Sequence, residues 1–247
     1  MRMKNKVLTG LISLLTAITN FAFAQGIHTL APGVLTVAVT TEAPENEFDS
    51  QLWIRRYIQK FADENQLSVS WVVVPFDESW LLASSNEVDL VATNVASFPD
   101  RANPGASFSD PFLYERRALR IKARDHDKFK TINDFVGKKV GAVAGMAAER
   151  DLLDRAIKGV VIEITDTFPE LYDKFDQGKL DAIAEAEYYS LSDEVIPSHD
   201  SSVVLIDHHD LIPGQREESV FVVSNNSSNL LQTINLFISE TEFPISE

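Results

Sequence analysis

Short runs of apolar, β-branched residues alternate along the chain with segments whose apolar positions recur at helical spacing. Residues 34–40, 69–74 and 89–93 have the composition of buried strands. Between the first two, residues 51–66 place apolar side chains at i, i+4 and i+7, which predicts a helix, and a shorter helix is predicted over 78–84. This βαβαβ order predicts a parallel sheet covered by helices.

A second set of elements follows in the same style. Thr131 and Asp134 have the spacing of a capping box and predict a helix start. Strands are predicted over 139–143, 160–164, 181–184, 203–207 and 220–223, and helices over 145–157, 168–177 and 229–240. The break between the two sets falls near 113–118, without a Pro- or Ser-rich linker. Two such units predict two lobes facing one cleft, where small ligands usually bind.

The first 24 residues combine three basic side chains, a mostly apolar stretch over 7–21 and a small-x-small cleavage site that ends at Ala24. This pattern predicts a signal peptide over residues 1–24, and the polar residues within the stretch make it a weak membrane anchor. No later stretch approaches the roughly 18 apolar residues that a spanning helix needs. We therefore expect an exported, soluble protein of the bacterial periplasm.

Composition removes several classes of function. The formal net charge of the 247-residue chain is −15, so nucleic acid is an unsuitable partner. There is no Cys, which excludes disulfides, thiolate metal sites, a Cys nucleophile and a lipid-modified N-terminal Cys. His208 and His209 directly follow a predicted strand, and adjacent side chains in a strand point to opposite faces, so we expect no metal site there. We expect no cofactor.

Three segments together are specific enough to indicate a family. GVLTVAVTTEAP occupies 33–44, VDLVATNVASFPDRANPGASFSDPF occupies 88–112, and TINDFVGKKVGAVAGMAAERDLL occupies 131–153, followed by QGKLDAIAEAEYYS at 177–190. The chain resembles the family 3 extracellular solute-binding proteins, the amino-acid-type periplasmic receptors of ABC importers.

The resemblance implies a type II periplasmic-binding-protein fold, an α/β fold with two lobes joined by two hinge strands and a central ligand cleft. Lobe one would comprise residues 27–114 plus 217–247, and lobe two residues 115–216. Such proteins close on their ligand by hinge bending. The expected partners are a small-molecule ligand and an importer permease or another envelope protein, and the expected state is a monomer.

Arg101 follows the end of a predicted strand, where a guanidinium can hold a carboxylate through two parallel hydrogen bonds. The residue type alone equally fits a loop arginine that is solvated or paired with Asp100 or Asp110. The resemblance implies that Arg101 is the arginine that binds the ligand carboxylate. It also implies that Phe76 packs on the ligand side chain, whereas the alternative is a core Phe beside Trp80.

Several positions depart from the family pattern. Where members that bind α-amino acids have Gly and then a hydroxyl residue two positions on, this chain has Asn94 and Ala96, with Ser97 adjacent. Met146 and Ala147 replace the usual Ser/Thr pair at the start of the second-lobe helix. The backbone N–H groups at that helix N-terminus can still bind an anion. All of these positions except Ala96 remain candidate ligand contacts.

The ammonium-binding Asp of the family falls on Ala186, between Glu185 and Glu187. If the strand continues, these carboxylates share one face and raise the pKa of one of them unless a cation lies between them. The alternative is that one is solvated and the other caps the next helix. Thr40 and Glu42 end the first strand and would line the cleft. A modified amino acid, a small peptide, a polyamine-like cation or a carboxylate without an α-ammonium is therefore open as the ligand.

The main hypothesis is a receptor for a small polar solute that carries a carboxylate, an amino acid or a related compound. A second hypothesis is an enzyme, because periplasmic cyclohexadienyl dehydratases resemble these receptors; Glu185 or Glu187 would then be the general acid. A third is a sensory or interaction module, or a degenerate receptor, on the same fold.

Overall fold

The computed structural model describes residues 26–41, 44 and 46–245. The predicted signal peptide, residues 1–24, and Glu42 lie outside the described residues. Within the described part, the helices are α1 (Ser50–Glu64), α2 (Ala147–Arg155), α3 (Phe168–Asp176) and α4 (Leu230–Glu240). The strands there are β1 (Val34–Val39), β2 (Ser68–Val73), β3 (Leu90–Ala96), β4 (Ala106–Phe108), β5 (Leu113–Lys122), β6 (Lys139–Val143), β7 (Val161–Thr165), β8 (Ala182–Tyr189), β9 (Val195–Ile196), β10 (Val203–His209) and β11 (Glu217–Ser224).

One curled sheet contains two parallel units that are joined by antiparallel strands. Its order is β2-β1-β3-β11-β5-β8-β6-β7, with β4 beside β11, β10 beside β5 and β9 beside β8. β1 is parallel to β2 and β3 in the first unit, and β6 is parallel to β7 and β8 in the second. The carboxyl ends of the parallel strands, where open α/β sheets place ligands, therefore occur in both units.

β11 returns from the second unit and pairs antiparallel with β3, as the family resemblance implied. The predicted lobe boundaries, residues 27–114 plus 217–247 and residues 115–216, remain a prediction. Near the predicted break, β5 runs without interruption through ten residues and pairs with β11 at its start and with β8 along its length. The strand was missed because charged side chains occupy its buried positions, Glu115 and Arg117 among them.

Most predicted elements have boundaries within three residues of those observed. The helix predicted over 78–84 is wrong, since only a 3-10 turn forms at Ser79–Leu81. The capping box is present, with the Thr131 and Asp134 side chains bonded reciprocally to the backbone, but it starts a short 3-10 helix, Ile132–Phe135. The strand predicted to end at residue 184 continues as β8 to Tyr189, so Glu185 and Glu187 both lie within it.

Each unit has its own hydrophobic core. The first is built on α1, α4 and the strands beneath them, and its aromatic rings include Tyr57, Phe112 and Phe221, with Phe112 and Phe221 stacked at 4.3 Å between ring centroids. The second packs α2 and Phe135 against β5, β6 and β8. A small contact of Ala96 and Phe98 with Ala147 connects the two units. None of the helices in the described ranges has the length and apolarity to cross a bilayer.

Candidate functional site

A cavity lies between the two units. It encloses about 760 Å³, including the space at its opening to solvent. The ends of β1 and β3 and the N-terminus of α1 line it from the first unit, and the start of α2, α3 and β8 line it from the second. β5 contributes the charged side chains of Glu115, Arg117 and Arg120. The lining holds more charged and polar side chains than most small-molecule sites.

Asn94 is the polar group at the β3 end of the cavity. Its backbone φ is 64°, a left-handed conformation that Asn tolerates better than most residues and that explains the usual Gly at this position of the family. Its side-chain amide donates to Glu115 Oε1 at 2.8 Å. Its Oδ1 atom has no hydrogen-bond partner among the residues described, although the side chain is 91% buried. An unpaired buried acceptor of this kind costs free energy.

Arg117 joins two carboxylates at the base of the cavity. Its guanidinium pairs with Glu115, which also accepts from the Ser219 hydroxyl, and its Nε lies 2.9 Å from Glu217 Oε1. Burial raises the pKa of Glu217 to about 7, against the opposing charge of Arg117. These groups neutralise one another inside the protein, so they shape the cavity floor and leave little charge for a ligand.

Glu185 is paired with a cation of the protein itself, the Arg120 guanidinium. Arg120 Nε lies 2.7 Å from Glu185 Oε2, and the Tyr172 hydroxyl donates to Oε1 at 2.6 Å. The alternative, in which one glutamate of the pair is solvated and the other caps a helix, is wrong, because β8 extends past both residues. Glu187 does not line the cavity: it accepts from the Tyr189 hydroxyl, and its carboxylate lies 3.1 Å from His208 Nε2.

Asp49 lines the cavity and caps α1, where its Oδ1 accepts the Gln51 N–H at 2.8 Å. Burial raises the pKa of Asp49 above its ordinary value, and the charge of Glu185 adds to the rise.

Arg101 lies beside the cavity, within a ring of aromatic side chains. It is 98% buried at the end of the 3-10 turn Pro99–Arg101, with its guanidinium carbon 5.3, 4.8 and 5.0 Å from the ring centroids of Phe76, Trp80 and Phe98. Its Nη2 donates to the Gly145 carbonyl of the second unit at 2.9 Å. Burial lowers the pKa of Arg101 to about 10. The solvated-loop alternative is thus wrong, and Asp100 pairs instead with Arg150.

Of the four remaining predicted contacts, Met146 lines the cavity and the other three do not. Met146 caps α2 and lines the cavity, whereas Ala147 begins α2 and packs against Ala96 and Phe98. Thr40 lies at the end of β1, and its buried hydroxyl has no partner within the part of the chain that the structure describes. Ser97 points away from the cavity and donates to Glu218 at 3.2 Å.

The structure therefore gathers Asn94, Met146 and Glu185 around the cavity and places Phe76 with Arg101 next to it. Residue patterns missed other polar groups of the lining, notably Asp49, Arg117, Arg120, Tyr172 and Tyr188. Arg117 and Arg120 could have been noticed in the sequence LYERRALRIK, where charged residues stand between apolar ones. A charged side chain on a buried strand needs a partner, so such a run indicates buried ion pairs.

His208 and His209 have different partners, Glu187 and Asp151, at 3.1 and 3.7 Å. The described ranges contain no group of three or more His, Asp or Glu side chains that could hold a metal ion.

Comparisons with known proteins agree with this architecture. Among solved structures, arginine-bound, truncated ArgBP from T. maritima superposes with a TM-score of 0.64 at 17% identity, covering 84% of this chain and 96% of that one. An L-arginine-bound amino acid ABC transporter substrate-binding protein from Streptococcus pneumoniae gives 0.66 at 18% identity, covering 84% and 88%. The ancestral amino-acid-binding protein AncCDT-1, a precursor of cyclohexadienyl dehydratase, gives 0.67 at 19% identity, covering 84% and 89%. The chain has the type II periplasmic-binding-protein fold.

Two curated relatives carry names of the expected kind. A probable histidine-binding protein of Campylobacter jejuni is 26% identical over 136 residues, which are 55% of this chain and 50% of that protein. The L-cystine-binding protein TcyJ of Escherichia coli K12 is 27% identical over 178 residues, 71% of this chain and 64% of TcyJ. The matches thus span between half and two thirds of the relatives' length. No protein-family model matches the chain. The relatives confirm the resemblance to the family 3 solute-binding proteins.

Proposed function

We propose that this protein is an exported receptor that captures a small polar solute, an amino acid or a related compound, and delivers it to an ABC importer in the bacterial envelope. The observation that carries the proposal is the cavity between the two units, which polar and charged side chains of both units line. The names of the curated relatives, histidine- and cystine-binding proteins, support the solute class. The predicted signal peptide supports a periplasmic location.

In this proposal, Arg101 binds the carboxylate of the solute. Its Nη2 holds the Gly145 carbonyl of the opposite unit, and its aromatic surroundings fix the guanidinium in place. When the units separate, the hydrogen bond to Gly145 breaks. The guanidinium can then donate hydrogen bonds to the carboxylate of an entering solute. Arg101 thus exchanges a backbone carbonyl for a ligand carboxylate, which is a stronger, charge-assisted partner.

We propose further that the protein binds its solute without converting it. Both carboxylate oxygens of Glu185 are engaged, by Arg120 and Tyr172, and Glu187 does not line the cavity. Neither glutamate presents a free carboxyl to a bound substrate, as a general acid must. A dehydratase would convert prephenate to phenylpyruvate, so unchanged absorbance with prephenate is the expected result, and turnover would overturn this part of the proposal.

The test of the receptor function is a thermal-shift screen of the purified protein against amino acids, short peptides, amines and organic acids. A solute at 100 times its Kd adds about 2.7 kcal/mol to the stability of the folded state, which raises Tm by several degrees. We expect Arg101→Ala to abolish the shift and Arg124→Ala, at a highly exposed arginine, to leave it intact. Absence of any shift across the screen would contradict the proposed function.

A further inference from the structure

A pair of buried glutamates lies between the two strands that connect the units. β5 leads from the first unit into the second, where it pairs with β8, and β11 returns to pair with β3. Glu115 on β5 and Glu217 on β11 stand directly opposite each other, and each is 95% buried. Like charges that face each other across a strand pair destabilise it. The two carboxylates therefore need a shared cation, a proton or both.

Arg117 is the cation between the two glutamates, but only Glu115 has further donors. The Arg117 guanidinium pairs with Glu115, and its Nε lies 2.9 Å from Glu217 Oε1. Glu115 also accepts hydrogen bonds from the Ser219 hydroxyl and the Asn94 amide. Apart from the ion pair, neither oxygen of Glu217 has a hydrogen-bond donor among the described residues. Glu217 is therefore the member of the pair that a proton would neutralise, and burial raises its pKa to about 7.

The other charges that face Glu217 include one from the second unit. Asp151, on α2, adds to the rise in the pKa of Glu217, while the charge of Arg101 also interacts with that of Glu217. Asp151 is paired with Arg155 on its own helix and lies 3.7 Å from His209 Nε2 on β10. The charge balance at Glu217 thus depends on where α2 lies relative to β11.

Opening of the cleft changes the surroundings of Glu217. A type II fold bends at its connecting strands, so α2 moves away from β11 when the units separate. Water then also reaches the cavity floor, which Glu115 and Arg117 line. The repulsion from Asp151 falls with distance, and hydration favours the charged carboxylate. The closed form therefore binds a proton at Glu217 more tightly than the open form does.

We infer that Glu217 links closure of the units to pH: it takes up a proton when the units close on a solute and releases it when they open. The inference rests on the proposed receptor function and adds a regulation to it. Because the closed form has the higher affinity for the proton, thermodynamic linkage requires the solute to bind more tightly below pH 7 than above it. An ionised Glu217 favours the open form and release of the solute.

The test is titration calorimetry of the whole protein at pH 6 and pH 8, with the best solute of the thermal-shift screen. We expect the wild type to bind several-fold more tightly at pH 6, up to about tenfold for a group that titrates near pH 7. Glu217→Gln keeps the size of the side chain and is always neutral. It should bind equally at both pH values, and at least as tightly as the wild type at pH 6.

Two controls isolate Glu217 from other titrating groups. Glu218→Gln makes the same change at the next residue, which is exposed and lines no part of the cavity, and it should keep the pH dependence of the wild type. Titrations at pH 7 in two buffers of different ionisation enthalpy count the protons taken up on binding. We expect a greater uptake in the wild type than in Glu217→Gln, since the solute and His209 contribute equally to both.

The outcomes separate the two proposals. Equal wild-type affinity at pH 6 and pH 8, or the same pH dependence in Glu217→Gln, overturns the inference and leaves the receptor function standing. If circular dichroism shows that Glu217→Gln is unfolded, the wild-type proton count decides, and no uptake at pH 7 overturns the inference.

If no solute binds, the receptor function fails and solution scattering of the free protein decides the pH linkage. The radius of gyration of the wild type should then be larger at pH 8 than at pH 6, and that of Glu217→Gln should be the same at both. Equal radii for the wild type overturn the inference.

Discussion

Asn94 combines an unusual backbone with an unusual side-chain environment. It is the one residue of β3 with a positive φ, 64°, and its side-chain oxygen is buried without a hydrogen-bond partner among the described residues. Strained backbone at a ligand site persists when the surroundings determine it, and here the hydrogen bond to Glu115 fixes the side chain. The identity of the residue could be read from the sequence as a departure from the family pattern. Its orientation could not, because that depends on Glu115, which is twenty-one positions away.

The left-handed backbone at Asn94 leads to a prediction about stability. Asn94→Ala and Asn94→Gly both lose the hydrogen bond to Glu115. A difference in stability between the two variants therefore measures the cost of the left-handed backbone at this position. Ala in this left-handed conformation costs about 1 kcal/mol or more, whereas Gly adopts it without that steric cost. We therefore expect Asn94→Ala to be less stable than Asn94→Gly by about 1 kcal/mol in urea unfolding. Equal stability of the two variants would show that φ at residue 94 is not strained.

At the scale of elements, β5 is the strand that determines the site. It pairs with β11 from the first unit and with β8 and β10 from the second, and its charged side chains form the floor of the cavity. The periodicity of apolar residues predicted the flanking strands and helices, because their buried faces are apolar. It could not predict β5, whose buried positions hold Glu115 and Arg117 with partners on other strands. The run of charges in LYERRALRIK indicates that partners are needed, but it does not say which strands supply them.

The group formed by β5 and β11 predicts a dependence of stability on pH. Burial raises the pKa of Glu217 from 4.5 to about 7, with Arg117, Glu115 and Asp151 as the charges that act on it. The folded state therefore binds a proton that the unfolded state releases. This contribution to stability is complete below about pH 4.5 and is lost as the pH rises through 7, a change of the order of 3 kcal/mol.

Glu217→Gln removes that titration and keeps the size of the side chain. We expect the free energy of unfolding, from urea titrations at pH 5 and pH 8, to fall more between these values in the wild type than in Glu217→Gln. Other groups, such as His199 with its lowered pKa, act equally in both proteins and cancel in the comparison. An identical fall in both proteins would mean that Glu217 carries its charge in the folded state at both pH values.

At the scale of the whole molecule, Gly145 lies at one of the contacts between the two units. Its carbonyl accepts from Arg101, its φ is 75°, and a Cβ at this position would lie 2.8 Å from Asp77 Oδ1. A type II fold binds by closing its lobes, so the contacts across the cleft set the balance between open and closed states. The two α/β units predicted two lobes that face one cleft, but no residue pattern indicates that Arg101 bonds to a backbone carbonyl of the opposite unit.

A substitution at Gly145 should open the molecule. Gly145→Ala places a methyl group against Asp77 and strains the backbone, whereas Gly178→Ala strains a similar backbone, φ 70°, with open space around it. We expect both to lose about 1 kcal/mol of stability. Only Gly145→Ala should increase the radius of gyration in solution scattering and weaken solute binding. An unchanged radius of gyration for Gly145→Ala would contradict the role of this contact in closure.

Binding in the inter-unit cavity is the central claim, and titration calorimetry of a cavity-filling variant tests it most directly. Ala186 lines the cavity from β8 and is 95% buried, so Ala186→Phe places a ring into the space that the solute would occupy. We expect the wild type to bind one molecule of its best solute from the thermal-shift screen per chain. We expect a folded Ala186→Phe variant to show no heat of binding. The same affinity in both proteins would place the binding site elsewhere and contradict binding in this cavity.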